Sequence, residues 1–329
     1  MLNKEAHLIA DITKPEMVPT RDGYGHGVVK AGEQDERVVV LCADLTESTR
    51  SQWFKEKFPD RFVEMGVAEP NMALVASGMA NYGKIPFISS YATFSPGRNN
   101  EQIRTNISIN NVPVKIVGAH AGISVGPDGA THQALEDIAL MRVQPRMVVV
   151  VPCDAVEAEK ATLAAAFNGQ PTYVRVGREK SPVFTTSDTP FEIGKAIILR
   201  DGKDVAIIGC GMLLHNALLA AEELVAEGIE CMVINSHTVK PLDEKTIVAA
   251  AQKTGAVVSV EEHQVAGGLG SAIAEVLART APVPQEFVGV QDRFGESGTS
   301  AELIEAFGLG KEAIKAAVKK VTERKKKPA

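Results

Sequence analysis

Arg37-Val38-Val39-Val40-Leu41, with Ala43-Asp44-Leu45-Thr46-Glu47-Ser48 close behind it, is the stretch on which the fold turns. A run of apolar, β-branched residues without polar alternation reads as a strand covered on both faces, the habit of parallel sheets. Working outward, the signature returns at Ile85-Pro86-Phe87-Ile88, Val114-Lys115-Ile116-Val117, residues 147–151 and Thr172-Tyr173-Val174-Arg175-Val176. Helical stretches lie between: residues 70–82, opened by a Pro suited to the first helical position, then 101–109, 133–141 and the Ala-rich 155–167. A polar break at 177–190, rich in Ser, Thr and Pro, reads as a linker. The pattern then restarts with Val205-Ala206-Ile207-Ile208, Cys231-Met232-Val233-Ile234, Val257-Val258-Ser259-Val260 and Phe287-Val288-Gly289-Val290, separated by helical stretches at 213–227, 243–253 and 269–277. The expectation is an α/β protein of two domains, 1–188 and 189–329.

Composition bounds the classes. A chain of 329 residues suits two domains, and 45% hydrophobic with 23% charged residues excludes a disordered or collagen-like protein. No window approaches the roughly 18–20 continuous apolar residues of a membrane span. Met1-Leu2-Asn3-Lys4-Glu5 lacks a basic-then-apolar export pattern, so a cytoplasmic protein is expected, with no membrane partner. Net charge is −6; residues 315–329 carry a local +6, which leaves −12 for the body. An acidic body argues against nucleic acid as a partner. The basic run Arg324-Lys325-Lys326-Lys327 is expected to be a frayed helix end. Cys42, Cys153, Cys210 and Cys231 have no metal-ligand spacing and read as reduced core thiols. The histidines show no HExxH pattern, so no protein-built metal site is expected.

Open parallel sheets bind ligands at the carboxyl ends of their strands. There the Gly-rich segments offer little: Gly209-Cys210-Gly211 lacks a dinucleotide fingerprint, and Gly267-Gly268-Leu269-Gly270 reads as a tight turn. Four others say more: residues 43–48, Gly66-Val67-Ala68-Glu69-Pro70, Ser90-Tyr91-Ala92-Thr93-Phe94, and His120-Ala121-Gly122 leading into Gly126-Pro127-Asp128-Gly129-Ala130-Thr131-His132-Gln133. Singly, each has an ordinary reading. Glu69 suits the positive end of a helix, Phe94 a core, Asp128 a turn, and His120 and His132 structural roles. Their occurrence together, in this order, carries the argument.

In that order the segments resemble the transketolase family of thiamine-diphosphate enzymes. The similarity runs over nearly the whole chain and corresponds to the C-terminal two-thirds of a typical member. The Gly-x-Asp-Gly-x-Thr-His-Gln run is shared with the related deoxyxylulose-phosphate synthases. The Ala-Asp-Leu-Thr-x-Ser run and His120 favour transketolase, since the synthases usually carry Arg at the latter place. The resemblance implies a thiamine-diphosphate pyrimidine-binding fold over 1–188, followed by a transketolase C-terminal-like α/β domain over 189–329. The Gly-Asp-Gly motif and later Asn of the family's diphosphate-binding domain do not occur upstream. The chain is therefore expected to be the C-terminal subunit of a split transketolase. Two copies would pair with two N-terminal partner subunits, which would hold the diphosphate and a divalent metal, Mg or Ca.

Residue by residue, the resemblance assigns Glu69 to the cofactor's ring nitrogen N1′, Phe94 to stacking on the pyrimidine, Tyr91 to assisting it and Asp44 to a place near the cofactor. Arg21, Ser48, Arg178 and His120 are assigned to the sugar phosphate, and Asp128 to a substrate hydroxyl. His132 falls near the reacting carbons, and with Glu69 and His120 makes up the catalytic set. Arg175, earlier along the same stretch, could be confused with Arg178. The implied reaction moves a two-carbon ketol unit from a ketose phosphate to an aldose phosphate, as in the pentose phosphate pathway. At one place the chain departs from the family: full-length microbial enzymes usually carry more aromatics after Thr93-Phe94, where this chain has Ser95-Pro96-Gly97-Arg98-Asn99-Asn100. The alternatives are a deoxyxylulose-phosphate synthase-like or other sugar ketol transferase, a 2-oxo acid dehydrogenase β subunit, and a non-catalytic structural or regulatory subunit of the same fold. The dehydrogenase subunits lack the Asp-Gly-x-Thr-His-Gln run, and intact Glu69, Asp128 and His132 weigh against a non-catalytic role.

Overall fold

The computed structural model describes residues 1–326, so Lys327 of the basic run lies outside the described residues. The strands are β1 (Glu16–Pro19), β2 (Val38–Cys42), β3 (Phe62–Glu64), β4 (Ile85–Tyr91), β5 (Lys115–Ala119), β6 (Val148–Val150), β7 (Thr172–Arg175), β8 (Lys180–Val183), β9 (Ile197–Arg200), β10 (Val205–Gly209), β11 (Cys231–Asn235), β12 (Thr238–Lys240), β13 (Val257–Gln264) and β14 (Gln285–Val290). They form a seven-stranded sheet in the order β12-β6-β7-β5-β4-β2-β3, a five-stranded sheet in the order β14-β13-β10-β11-β9, and the ribbon β1-β8. The pairings from β6 through β3 are all parallel, and β12 closes the first sheet antiparallel to β6. The second sheet is parallel except at β9. The α/β class expected from the strand pattern is what forms.

Strand β2 shows why the apolar runs are continuous. Val39 and Leu41 face one core cluster, with Met72, Ala73 and Ala76 of the Glu69–Asn81 helix. Val38 and Val40 face another, with Tyr24, Val28 and Ala158. Both faces are covered, so neither can be polar. The first of these clusters continues through Ile208, Ile247 and Ile273, joining the two sheets in one apolar body.

Several elements escape the sequence reading. The helix Thr20–Gln34 carries Gly23, Gly25, Gly27 and Gly32, which argue against a helix when propensity is counted alone. Contact explains two of them. A Cβ on Gly23 would sit 2.0 Å from the Ala155 carbonyl oxygen, and one on Gly27 2.8 Å from that of Glu159. The helix lies backbone to backbone against Ala155–Phe167, and only glycine permits that approach. The helix expected at 101–109 is a three-residue α segment, Asn100–Gln102, running into a π-helical turn, Ile103–Ser108. The one expected at 133–141 shortens to Asp137–Arg142, because residues 133–136 feed a loop instead.

Two expectations are corrected. The polar stretch 177–190 contains β8, and its Phe184 and Thr185 amides donate to Asp154 at 2.9 and 2.7 Å. The C-terminal helix Lys311–Lys326 is docked rather than frayed. Arg324 donates to the Gln285 carbonyl at 2.7 Å and pairs with Glu286, and Lys325 donates to the Thr254 carbonyl at 2.6 Å. The four cysteines are free and buried. Among the described residues no helix is long and apolar enough to cross a membrane.

Asp154 fastens these parts together. It is fully buried, caps the Ala155–Phe167 helix by accepting from the Glu157 amide at 2.9 Å, and also accepts from the Thr185 hydroxyl at 2.7 Å. Asp154→Ala strands several buried donors and should cost roughly 3 kcal/mol or more. Urea unfolding should show a lower midpoint at unchanged slope. A loss below about 1 kcal/mol would mean that Asp154 is not what holds this joint.

Candidate active site

Strands β4 and β5 end side by side at Tyr91 and Ala119, and the aromatic residues expected at a site gather there. The Tyr91 ring stacks on His120, centroids 3.9 Å apart, and lies 6.0 Å from Phe94. His132 stands edge-on to Phe94 at 5.5 Å. The Thr131 hydroxyl engages His132 Nδ1 at 2.9 Å.

Glu69 is the first residue of its helix and is 1% exposed. The helix's unpaired amides and a following Pro favour a carboxylate there. Its Oε1 accepts from Ser90 Oγ at 3.1 Å, and its Oε2 from Arg98 Nη1 at 2.6 Å. The Arg98 guanidinium carbon also lies 4.5 Å over the Phe94 ring. Asn99 Nδ2 donates to the Glu69 carbonyl at 3.2 Å and to Ser95 Oγ at 3.1 Å.

On the other side of the rings is a cationic end. Arg21, in the first turn of its helix, donates from Nη1 to the Ser48 carbonyl at 2.9 Å and lies 3.4 Å from His120 Nε2. Burial, then the Arg21, Arg178 and Arg50 charges, push the His120 imidazole down to about 3, so it is neutral. Arginine cannot accept, so Nε2 is the acceptor and the ring proton sits on Nδ1. Nδ1 is buried without a partner, as is Arg21 Nε. Burial, and next the nearby Arg50, lowers Arg21 itself, as expected where like charges crowd. Arg178 donates to the Val125 carbonyl at 2.8 Å and pairs with Glu179 at 3.3 Å.

The loop Ile123–Asp128 reaches the cationic end through the Arg178 bond to Val125, and the second sheet holds it. Glu262, on β13, accepts from the Ser124 amide at 2.6 Å. Gly122 has φ 92°, and a Cβ there would meet the Glu262 carboxylate at 2.3 Å, so the turn needs glycine twice over. Gln133 Nε2 donates to the carbonyls of Ile123 at 3.1 Å and Glu296 at 2.9 Å, fixing the loop to the C-terminal half.

The fold thus brings together Glu69, Tyr91, Phe94, His120, His132, Arg21 and Ser48, with Arg178 attached through the loop. Asp128 is exposed on that loop, and among the described residues its carboxylate makes no hydrogen bond, not even to its own turn. Asp44 is exposed at φ 58°, its amide held by Glu64 Oε1 at 2.8 Å, and no contact ties its side chain to the others. Arg175 is distinct from Arg178. It is buried and spent on Asp137, the Ala134 carbonyl and the Glu262 carbonyl. Sequence reasoning missed Ser90, Asn99, Arg50 and Arg98. Only for Arg98 and Asn99 was there a signal, the departure from the family after Phe94.

The donor set suits the pyrimidine ring of thiamine diphosphate. Phe94 offers an aromatic face, Glu69 a dry carboxylate, and Thr93 Oγ1 and Asn99 Oδ1 are buried polar atoms without partners. Among the described residues no three His, Cys, Asp or Glu side chains converge as metal ligands.

Comparison with known proteins gives the family. Residues 16–183 match the family "Transketolase, pyrimidine binding domain" and residues 194–314 match "Transketolase, C-terminal domain". The chain is 41% identical over 305 residues to the 6-deoxy-6-sulfo-D-fructose transketolase subunit of Clostridium sp. (strain MSTE9), covering 93% of this chain and 95% of that one. A solved structure titled "Split gene transketolase, inactive beta4 tetramer" is 45% identical, with a TM-score of 0.88 over 94% of this chain and 100% of that one. The transketolase of Campylobacter jejuni shares the fold, with a TM-score of 0.79 at 23% identity, and this chain covers 49% of it. The share of a full-length fold is therefore about half, not the expected two-thirds.

The neutral His120 has a consequence for stability. Its folded pKa of about 3 lies below the ordinary 6.5. Between those values the unfolded chain binds the proton and the folded chain does not, so stability falls as pH drops through that window. His120→Gln should flatten the acid limb by up to about 1.4 kcal/mol per pH unit. Urea titrations of both proteins at several pH values between 7 and 4 would check this, and parallel limbs would mean His120 is protonated in the fold.

Proposed function

The chain belongs to the transketolase family, and from that premise we propose that it is the pyrimidine-binding subunit of a split, thiamine-diphosphate-dependent transketolase. It transfers a two-carbon ketol unit between sugar phosphates once paired with an N-terminal subunit that holds the diphosphate and a divalent Mg or Ca ion. The observation that carries the reading is the buried Glu69 carboxylate beside the ring face of Phe94, over which the Arg98 side chain lies, with a cationic end beyond the rings. The relative titled "Split gene transketolase, inactive beta4 tetramer" supports the need for a partner and a tendency to self-associate.

When bound, thiamine diphosphate supplies the carbon nucleophile for ketol transfer. Every other task falls to side chains. Glu69 holds a proton at its carboxyl oxygen toward the ring nitrogen N1′, in a dry setting where such a bond is strong. Phe94 gives the ring an apolar face, buttressed by Tyr91. Asp44 is assigned to the margin of the same site. His132, its Nδ1 engaged by Thr131, keeps Nε2 to exchange a proton with substrate. Arg21, Arg178, Ser48 and the neutral His120 hold the phosphate, the guanidinium forks matching its oxygens. Asp128 accepts a bond from a substrate hydroxyl.

A second reading, a ketol transferase for another anionic sugar, draws on the relative named for a sulfo-sugar. A sulfonate presents oxygens much like those of phosphate to the same cations.

Purified alone, the chain should show no ketol transfer, and adding the diphosphate-binding subunit should restore it. In the assembled enzyme Glu69→Gln should lower the rate at least about a hundredfold and slow deuterium exchange at cofactor C2 in parallel. Transfer by the isolated chain would refute the split-subunit reading, and unchanged C2 exchange would return Glu69 to a helix-end role.

Asp128→Ala should remove about 1.5–3 kcal/mol of transition-state binding for a 2-hydroxy aldehyde acceptor and spare its 2-deoxy analogue. The kcat/KM preference between them should shrink at least about tenfold. A preference ratio unaltered by the mutation would make Asp128 part of a turn and no more.

A further inference from the structure

The segment where this chain departs from the family returns on itself tightly. The amides of Phe94 and Ser95 both donate to the Tyr91 carbonyl at 2.8 Å, and the Arg98 amide donates to the Phe94 carbonyl at 3.0 Å. A Cβ on Gly97 would meet the Thr93 carbonyl oxygen at 2.0 Å, so only glycine closes the turn this far. The Arg98 backbone is thereby set one helical turn beyond Phe94, and its side chain folds back over the ring.

Two independent contacts define where its head lies. The guanidinium carbon is 4.5 Å over the Phe94 centroid, and Nη1 is 2.6 Å from Glu69 Oε2. A guanidinium is flat, stacks on aromatic faces and donates in its own plane. Those are the demands that Phe94 and Glu69 make of a protonated aminopyrimidine. The same carboxylate oxygen and ring face cannot serve both at once. Beside the occupied slot, Thr93 Oγ1 and Asn99 Oδ1 remain unpaired, so Arg98 fills the slot without satisfying all of its polar wall.

We propose that Arg98 is a built-in occupant of the pyrimidine site, lying on Phe94 and paired with Glu69 in the cofactor-free chain, and that thiamine diphosphate binds by displacing it. The inference rests on the reading of Glu69 and Phe94 as the pyrimidine site. Displacement needs only side-chain rotation, since the Arg98 side chain is 44% exposed and opens toward solvent.

The test is calorimetric binding to the chain assembled with its diphosphate-binding subunit, in Mg²⁺, using thiamine diphosphate and inorganic diphosphate as separate probes. A site competent only when Arg98 has left shows an affinity reduced by its open fraction. Arg98→Ala should therefore tighten thiamine diphosphate about tenfold or more and leave inorganic diphosphate unchanged. Arg98→Lys, which keeps the charge but loses the flat stack, should fall between wild type and Arg98→Ala. Thiamine diphosphate binding that is unchanged or weaker in Arg98→Ala overturns the proposal, and weaker binding would make Arg98 a cofactor contact instead. If thiamine diphosphate binds wild type and variant no better than inorganic diphosphate does, the pyrimidine-site reading itself fails, and this proposal with it.

Discussion

The site depends on one buried cation. Arg175, at the end of β7, donates through Nε to Asp137 Oδ2 at 2.7 Å and through Nη2 to the Glu262 carbonyl at 2.9 Å. Burial alone would raise the Asp137 carboxyl, but the Arg175 guanidinium, with His263 behind it, holds it below its ordinary value. Tyr173 adds a hydroxyl bond to Asp137 at 2.6 Å. These groups tie the first sheet, the start of the Asp137–Arg142 helix and β13 of the second sheet to one point. From that point the Glu262 side chain reaches the Ser124 amide and sets the loop bearing Asp128. A buried pair of this kind is weak evidence for stability, but removing one partner is costly, so its geometry is enforced. The second half of the chain is thus the jig that holds the loop bearing Asp128 against the first.

Periodicity made the parallel sheets legible, because strands such as β2 and β5, buried along their whole length, leave no room for polar alternation. What periodicity could not show were elements whose residues answer to a neighbour. Gly23 and Gly27 of Thr20–Gln34 are explained by the Ala155 and Glu159 carbonyls, more than a hundred residues away. The short edge strands β3 and β12 are three residues each, too brief to carry a pattern. The basic C-terminal run looked like a solvated tail, but its partners are carbonyls and Glu286 on the second sheet.

At the candidate site the family resemblance named residues that, Arg21 apart, follow strands of the parallel sheet, and those strand ends converge. The groups that were missed act by pairing. Arg50 adds its charge to Arg21 and His120 while its own Nε is bound to Asp22 at 2.6 Å. Ser90 and Asn99 are ordinary polar residues until Glu69 lies beside them. The buried polar atoms left without partners include Arg21 Nε, Thr93 Oγ1, Asn99 Oδ1 and His120 Nδ1. A chain rarely tolerates such atoms in its interior. Arg21 Nε and His120 Nδ1 lie at the cationic end and Thr93 Oγ1 and Asn99 Oδ1 near Glu69, so both ends of the candidate site carry such atoms.

A carboxylate buried in a dry pocket raises a difficulty for any folded chain. Leaving an ionised carboxylate buried and alone is among the most expensive states available to a protein. The chain contains two answers. At Asp137 the counter-charge is permanent: Arg175 is 6% exposed and the carboxylate 1%, so neither can leave without the other being stranded. At Glu69 the carboxylate is again 1% exposed, but Arg98 is 44% exposed and hangs from a surface turn. The first pair is built to stay and the second is built to open. That contrast separates a structural ion pair from an exchangeable one more clearly than distance does, since both sit near 2.7 Å.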